Sequence, residues 1–364
     1  MFPDPSDSSE WGRVVCGFSS VRVGGSSRLD VQLRTDQKFA RHQNGKTSGR
    51  PYIQKDMTIS TQRKLLLVPL FLLGAMQALS AFASERVAPE PLVVHNAASL
   101  LAKQAEYRAQ LQSSTFGEPL YLASQDAGGR LVADVYAELG APFAKVSNLL
   151  GDPELLCGVL FLHLNVRACV AQRGPQGDVL ALTAGPKQGA TGAATTYSIS
   201  YSMHVDSASA DYLRVTLVAA SGPLSTSDYQ IVFEATPLEG QRSFLHFSYG
   251  YSYGSLAKMA LNLYLATAGR SKIGFSVVGK SDDGKPQYVQ GERGSVERNV
   301  MRNYLALQAY TGVNTGTPAA QMDARLRAWF ALTERYSAQL HELTLEEYLA
   351  QKREDVGRTL AAGR

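Results

Sequence analysis

Two cysteines and a histidine are the first residues whose types and spacing suggest chemistry. Cys157, His163 and Cys169 stand six positions apart, and thiolate and imidazole groups are common zinc ligands. The gaps between them match no usual spacing of zinc ligands, and no fourth ligand lies near them in the sequence. In an exported protein, two cysteines favour a disulfide between Cys157 and Cys169, worth about 3 kcal/mol in the loop-entropy model. Free thiols and a metal site are the alternatives.

The histidines show no arrangement that indicates catalysis. From Leu160 to Val170 the apolar residues occupy the even positions, which is typical of a strand with one buried face. His163 is therefore predicted to point outward as a structural or surface residue. His204 and His246 fall on the polar faces of their own predicted strands. No Ser–His–Asp spacing or nucleophile elbow is visible, so we predict no catalytic residue and no cofactor.

Aromatic residues that alternate along several predicted strands are the strongest candidates for a ligand site. Tyrosine combines an apolar ring with a hydroxyl that needs a partner, which suits the wall of a pocket for an amphipathic ligand. Plain packing of the sheet is the alternative, because aromatic residues favour strands in any case. The predicted wall consists of Tyr197, Tyr201, Met203, Phe233, Tyr249, Tyr251 and Tyr253.

A cluster of charged residues marks the start of a predicted helix near residue 296. Arg293 precedes this helix, and Glu297, Arg298 and Arg302 follow within its first two turns. Arginine can bind a carboxylate or phosphate through two parallel hydrogen bonds. We therefore expect Arg293, Arg298 and Arg302 to clamp an anionic group of the ligand at the mouth of the cavity. The alternative is a solvated helix face with an ordinary ion pair.

The elements that must position these residues form a strand-rich middle between helical ends. Alternation predicts strands at residues 131–139, 160–170, 195–205, 212–220, 229–235 and 243–253. Short turns between successive strands indicate an antiparallel meander. Helices are predicted at residues 97–112, 143–150 and 296–310, after Ser255, around 322–340, and after a capping box at 344–347. A hairpin is predicted from residues 272–278 and 286–290.

Residues 57–83 are predicted to be a secretory signal peptide. Arg63 and Lys64 precede an apolar run of about 14 residues, and Ala-Phe-Ala at 81–83 fits a cleavage site. That run is shorter than the ~20 residues that cross a bilayer. The alternative is an uncleaved membrane anchor through residues 65–83. The expected location is therefore the periplasm or, with the anchor, the inner membrane.

Charge excludes one class of partner once the leader is set aside. Residues 1–56, rich in Ser, Gly, Arg and Asp, are interpreted as a gene-start extension or a disordered tail. Positions 1–83 hold 11 of the 36 basic and 6 of the 32 acidic residues, which leaves 25 and 26 in the remainder. The remainder is thus near −1 and has no basic stripe, so we predict no nucleic-acid partner.

The order of strand, short helix, antiparallel meander and long helix resembles the helix-grip fold, in which a curved sheet wraps a long helix beside an apolar cavity. Val-Tyr-Ala-Glu-Leu-Gly-Ala-Pro-Phe at 135–143, Leu-Phe-Leu-His-Leu-Asn-Val at 160–166 and the block at 288–302 resemble a START-like (SRPBCC) group of exported proteobacterial proteins. The resemblance implies an α+β fold. It divides the chain after the leader into an N-terminal helix at 84–114, a START-like domain at 115–311 and a helical C-terminal extension at 312–364.

The function that the resemblance implies is binding of a lipid or other hydrophobic small molecule in the cavity, without catalysis. One alternative is an enzyme of the cyclase or hydratase kind that uses tyrosine and arginine in the same cavity. Another is a protein-interaction module whose cavity is filled by its own side chains. The volume of the cavity separates the last alternative from the other two.

Overall fold

The structure is a computed structural model that describes residues 94–185, 196–255, 258–259 and 272–362. The predicted signal peptide, the residues before it and most of the helix predicted after Ser255 lie outside the described residues. Within those ranges, no helix is both long enough and apolar enough to cross a membrane.

Eight strands form one antiparallel sheet in the spatial order β1-β2-β8-β7-β6-β5-β4-β3. The strands are β1 (Leu120–Ala127), β2 (Arg130–Leu139), β3 (Val166–Gln172), β4 (Asp178–Ala184), β5 (Tyr197–Ala208), β6 (Leu213–Ser221), β7 (Thr226–Leu238) and β8 (Arg242–Tyr253). A separate hairpin pairs β9 (Val277–Lys280) with β10 (Pro286–Tyr288), as predicted. The predicted meander is therefore confirmed from β5 to β8.

Alternation along the strands gives the sheet one apolar face, which we call the inner face. Leu245 and Phe247 of β8 are fully buried there, and the register places Phe247 beside Phe233 and Leu245 beside Ala235 of β7. Because successive side chains on a strand point to opposite faces, this pairing stacks the apolar residues of neighbouring strands into continuous rows. The rows form the wall of the core.

Helices cover both faces of the sheet. Their bounds are α1 (Ala97–Glu106), α2 (Arg108–Gln112), α3 (Phe143–Gly151), α4 (Pro153–Phe161), α5 (Gly291–Gly312), α6 (Pro318–Glu334), α7 (Ser337–Leu340) and α8 (Leu345–Ala362). Leu100 of α1 and Leu111 of α2 pack on Tyr136, Tyr212 and Phe244, which lie on the opposite, outer face. The helix predicted at 97–112 is thus two helices, divided at Tyr107.

The long helix α5 lies across the inner face and contacts β1, β2 and β8. Its predicted stripe of Val296, Val300, Tyr304 and Leu307 is completely buried against the sheet. A long helix held by an antiparallel sheet, with two short helices between the second and third strands, is the α+β helix-grip architecture that was predicted. The predicted capping box of α8 is also present, because Thr344 and Glu347 exchange hydrogen bonds.

The prediction of a strand from Leu160 onward is wrong. Asp152 caps α4 through the N–H groups of Glu154 and Leu155, and the helix continues to Phe161. A turn follows, and β3 begins only at Val166. The apolar residues Leu160, Leu162 and Leu164 are buried, but they belong to a helix end and a turn and not to a strand. His163 is also buried, although it was predicted to point outward. Two strands, β1 and β4, were not predicted.

Candidate functional site

A disulfide joins Cys157 of α4 to Cys169 of β3, with 5.3 Å between their Cα atoms. The pairing predicted from the two cysteines is thus present in the structure. His163 takes no part in a cysteine site: its Nδ1 accepts the backbone N–H of Asn165. Burial, followed by the nearby charges of Arg302 and Lys352, lowers the pKa of His163 well below its ordinary value. In the described part of the chain, no cluster of His, Cys, Asp and Glu could hold a metal ion.

Four tyrosines of the inner face pack on one another, and we call them the tyrosine cluster: Tyr201, Tyr229, Tyr249 and Tyr251. The ring centres of Tyr229 and Tyr251 are 5.2 Å apart in a stacked pair. Tyr201 meets Tyr229 edge-on at 6.2 Å, and Tyr249 meets Tyr251 at 5.9 Å. Centre-to-centre spacings in this range are those of direct aromatic packing, so the rings contact each other without an intervening group.

The hydroxyl groups of the tyrosine cluster differ in their partners. The Tyr229 hydroxyl lies 2.7 Å from Thr226 Oγ1. Within the described residues, nothing hydrogen-bonds the hydroxyls of Tyr201, Tyr249 or Tyr251. Burial is the first cause that raises the pKa of all three, so these phenols stay protonated and can donate as well as accept. None of the three belongs to the fully buried polar atoms of the described residues that lack a partner, so each keeps some accessible surface to which a ligand could bond.

The other predicted wall residues divide into two groups. Met203 and Phe233 are buried in the same core, and Phe233 stacks on Phe247 at 4.7 Å. Tyr253 ends β8, where its hydroxyl donates to Asp126 Oδ2 at 2.7 Å. Tyr197, at the first position of β5, is half-buried and does not belong to that core. The structure therefore brings together all of the predicted wall except Tyr197.

The three arginines of the predicted clamp each donate hydrogen bonds to a different group of the protein. Arg293 donates to Ser124 Oγ at 3.1 and 3.2 Å. Arg298 donates to the Ile273 carbonyl, and Arg302 donates to Glu342 at 2.6 Å. Arg298 and Arg302 are both buried, so the alternative of a solvated helix face does not describe them either. Anion binding by these three residues stays a prediction, and we do not include them in the ligand site.

Glu297 explains why the charged cluster lies inside the protein. Its carboxylate has no exposed surface and accepts hydrogen bonds from Ser124 Oγ at 2.5 Å and Ser276 Oγ at 2.6 Å. The backbone N–H groups of Phe275 and Ser276 donate to the same carboxylate at 2.6 and 2.9 Å. Four donors around one buried charge satisfy it, and they join α5 to β1 and to the residues before β9.

A separate groove of about 190 Å³ lies along the β1 edge of the sheet, between the end of α2 and residues 275–276. Hydroxyls of Ser113 and Ser276 and the rings of Phe116, Tyr121 and Phe275 are among the groups that line it. This volume is below the ~300 Å³ at which pockets for drug-sized ligands begin. The groove can therefore hold only a small molecule, and it is distinct from the tyrosine cluster on the inner face.

A polar network on the outer face was not foreseen from the sequence. His246 of β8 lies between two carboxylates, with Nε2 2.9 Å from Asp134 Oδ1 and Nδ1 2.7 Å from Glu234 Oε2. Tyr212, just before β6, and Arg214 of β6 bond Glu234 Oε1, and the ring of Tyr136 stacks on His246 at 4.4 Å. We call Asp134, Glu234, His246, Tyr212 and Arg214 the outer-face network. His95, just before α1, lies 3.2 Å from Glu234 Oε1.

The pKa shifts in the outer-face network follow from these contacts. Burial alone would raise the pKa of Glu234, but hydrogen bonds from His246 and Tyr212 and nearby positive charges lower it to about 2. Burial would likewise lower the pKa of His246, but its bonds to Asp134 and Glu234 raise it. The raised pKa favours the imidazolium form of His246 between the two carboxylates. The network joins four strands, β2, β6, β7 and β8, beneath α1 and α2.

The strand order and the helix gripped by the sheet define the class of the protein: its fold is START-like, of the helix-grip kind. The narrower resemblance to an exported proteobacterial group stays a prediction.

Of the comparisons with known proteins, only the one with solved structures found similar chains. No family model and no curated protein matches the chain. The Zhui aromatase/cyclase from Streptomyces sp. R1128 is 14% identical over 55% of this chain and 97% of its own, with a TM-score of 0.28. Norcoclaurine synthase from Thalictrum flavum is 13% identical over 39% and 80%, with a TM-score of 0.28. A START superfamily protein from Mycobacterium smegmatis is 12% identical over 38% and 92%, with a TM-score of 0.27. Similarities of this size carry no argument about what the present chain binds.

Proposed function

We propose that this protein binds a hydrophobic small molecule or lipid on the inner face of its sheet, beside the tyrosine cluster. The observation that carries the proposal is the set of three tyrosine hydroxyls, on Tyr201, Tyr249 and Tyr251, that no described residue hydrogen-bonds. Each of these hydroxyls keeps some accessible surface, so it is open to a hydrogen bond from a ligand. An apolar ligand with one polar group would bury its apolar part against the core and bond these hydroxyls.

The chemistry of the site favours a ligand whose polar group is uncharged. A protonated phenol both donates and accepts, so it pairs equally well with a hydroxyl, a carbonyl or an amine. The arginines that would neutralise an anion are bonded to Ser124, Ile273 and Glu342 instead. Sterol-like alcohols, ketones and neutral lipids belong to the ligand class that we propose.

The proposed place of action is the periplasm, reached through the predicted signal peptide at residues 57–83. The Cys157–Cys169 disulfide supports this proposal, because disulfides persist in oxidising compartments. An enzyme of the cyclase kind would need a group that moves protons within the site. The phenols of the cluster have pKa values raised by burial, which makes them poor acids, so we propose binding without catalysis.

A hydroxyl-deletion series tests the proposed site. Tyr249→Phe removes, from a half-buried side chain, a hydroxyl that no described residue bonds, so we expect the stability of the unliganded protein to change by no more than about 0.5 kcal/mol. Affinity for N-phenyl-1-naphthylamine, a neutral apolar dye with one N–H, should fall about two- to tenfold, since one hydrogen bond is worth about 0.5–1.5 kcal/mol. Thermal denaturation measures the first effect and fluorescence titration the second.

Matched controls come from the same sheet. Tyr229→Phe deletes a hydroxyl that is already paired with Thr226, so it should lower stability rather than raise it. Tyr136→Phe lies on the outer face and should leave dye affinity unchanged. Dye binding that does not saturate, or that responds to Tyr136→Phe as strongly as to Tyr249→Phe, would rule out the inner-face site. Native mass spectrometry of protein purified from the periplasm should show a co-purified lipid.

A further inference from the structure

The turn between α4 and β3 is bonded to a helix that lies far along the chain. Carbonyl groups at the end of a helix normally need capping groups or water. Here the Tyr348 hydroxyl of α8 donates to the Leu162 carbonyl at 2.6 Å, and Gln351 Nε2 donates to the Leu164 carbonyl at 2.7 Å. Both side chains are buried. α8 thus provides donors that the turn lacks.

Lys352 completes this contact with three further hydrogen bonds. Its Nζ donates to the carbonyls of Phe161 at 2.6 Å, His163 at 2.9 Å and Val166 at 2.6 Å. The side chain has no exposed surface, and its charge lies 4.3 Å from the centre of the Phe161 ring. An ammonium group has three N–H donors, so three carbonyls satisfy it completely. Burial lowers the pKa of Lys352 to about 7, so a change in the shape of the turn would cost either these three hydrogen bonds or the proton of the ammonium group.

Two more contacts fix α8 on the same region. Arg167 of β3 pairs with Asp355 of α8 at 3.3 Å, and both side chains are buried. Tyr348 stacks on Trp329 of α6 at 4.9 Å. Trp329 therefore reports on whether α8 is docked.

The five carbonyls described above, at positions 161–164 and 166, all lie inside the loop that the disulfide closes. Cys157 precedes Phe161 and Cys169 follows Val166, and the loop spans 12 positions. Cross-linking its ends removes many conformations that the free turn could adopt. The disulfide therefore preorganises the set of carbonyls that α8 binds. Cys157 is buried, whereas Cys169 is only half-buried, so Cys169 is the more accessible of the two residues.

We propose that the Cys157–Cys169 disulfide is a redox-controlled latch for α8: the helix docks on the turn when the disulfide is formed and is released when it is reduced. Reduction requires a dithiol. One thiolate of the dithiol attacks Cys169 Sγ and displaces Cys157 as a thiolate, which takes up a proton. The second thiol of the reductant then displaces Cys169, which yields two cysteine thiols and an oxidised, cyclic dithiol. Oxidation by a disulfide of higher potential reverses the reaction.

Hydrogen exchange on the full-length chain, with and without dithiothreitol, tests the latch. In the reduced protein we expect amides of residues 345–359 and 158–168 to exchange at least tenfold faster, while amides of β6, β7 and β8 keep their protection. A Trp11→Phe background leaves Trp329 as the only tryptophan, and its emission should shift to longer wavelength on reduction. Mass spectrometry after alkylation confirms the number of free thiols.

Three variants separate the latch from a general effect of the cross-link. The double variant Cys157→Ser/Cys169→Ser should exchange rapidly in α8 and show no response to dithiothreitol. Lys352→Met, which keeps the side-chain length but removes the donors, should release α8 in the oxidised protein. Arg353→Met removes only an exposed ion pair with Asp323 of α6 at 3.6 Å, which contributes little, and should behave like the parent.

Three results would overturn the latch. Equal exchange of α8 in the oxidised and reduced proteins, with both thiols shown to be free, removes the redox control. Faster exchange in all strands on reduction would make the disulfide a staple of the whole fold instead. Full protection of α8 in oxidised Lys352→Met would show that docking does not depend on the lysine.

Discussion

His246 shows how one side chain can join strands that are distant in sequence. It bridges Asp134 of β2 and Glu234 of β7, and Tyr136 covers its ring. Arg214 approaches from β6, Tyr212 from the residue before β6, and His95 from the segment before α1. Because the charges alternate in sign, the imidazolium is stabilised where burial alone would discharge it. The protonation of one residue thus affects the packing of several elements.

The outer-face network predicts a stability maximum at mildly acidic pH. His246 has a pKa raised above 6.5, so its stabilising effect is complete below about pH 6.5 and is lost as pH rises through the folded-state value. Glu234 has a pKa lowered from 4.5 to about 2, so its effect is complete above about pH 4.5 and is lost as pH falls toward 2. His163 and Lys352, whose pKa values burial lowers, change stability with pH in the opposite sense, so the network is measured by a difference. The free energy of unfolding of the parent minus that of His246→Gln, from urea denaturation between pH 3 and 9, should be largest between these limits.

His246→Gln should remove the fall in stability on the alkaline side of that maximum. His204→Gln is the matched control, because His204 is exposed on the same face of the sheet. A pH profile that His204→Gln changes as much as His246→Gln would contradict the assignment to the network.

Sequence reasoning placed His246 on a polar face but could not find its partners. Each member of the outer-face network stands at an outward position of an alternating strand, which is a visible signal. Their meeting depends on strand order, since β2 pairs not only with its neighbour β1 but also with β8, which lies far along the chain. Glu297 shows the same limit: its helix position was visible, whereas its donors come from β1 and from residues 275–276. Contacts across non-sequential elements were not predictable from alternation.

Close packing of α4 on α5 depends on a glycine. A Cβ added at Gly158 would lie 2.7 Å from the Tyr310 hydroxyl. Tyr310 cannot move away freely, because it is buried and its other face carries the Arg325 guanidinium at 3.6 Å. Gly158→Ala should therefore lower the free energy of unfolding by about 1–2 kcal/mol, which is the usual cost of overpacking less the gain in helix propensity. Urea denaturation measures the change.

Gly151→Ala is the control for this substitution. Gly151 ends α3, and nothing lies within 4 Å of an added Cβ there. Its stability should stay the same or rise by up to about 1 kcal/mol. A loss at Gly151 equal to that at Gly158 would show that alanine is harmful for a reason other than contact with Tyr310.

The same region shows where element prediction fails. Alternation identified β5 to β8, because tyrosine and isoleucine on one face and serine on the other make a clear period of two. Leu160, Leu162 and Leu164 imitate that period, yet they lie at a helix end and in a turn. The residues are buried because α8 covers the turn from a distance of almost 190 positions. No local pattern contains that information.

At the scale of the whole molecule, the helices after residue 311 belong to the core. Leu326 and Trp329 of α6 are buried, and Trp329 Nε1 donates to the Arg302 carbonyl of α5 at 3.0 Å. A chain that ends at residue 311 should therefore lose its cooperative unfolding transition, because α5 would lose one of its packed sides. A chain that ends at residue 343 keeps α6 and should retain the transition. Thermal melts followed by circular dichroism distinguish the two, and cooperative unfolding of the shorter chain would contradict this expectation.

The bonds of α8 to the α4–β3 turn also have a consequence for synthesis of the chain. Phe161 and Lys352 are 191 positions apart, so the ribosome makes the acceptor long before the donor. At about 5–20 residues per second, the turn waits roughly 10–40 s with its carbonyls bonded only to water. A segment that must stay open during translation is exposed to chaperones and export factors for that time. Because α8 is made last, the turn is accessible during synthesis and becomes covered only when α8 docks.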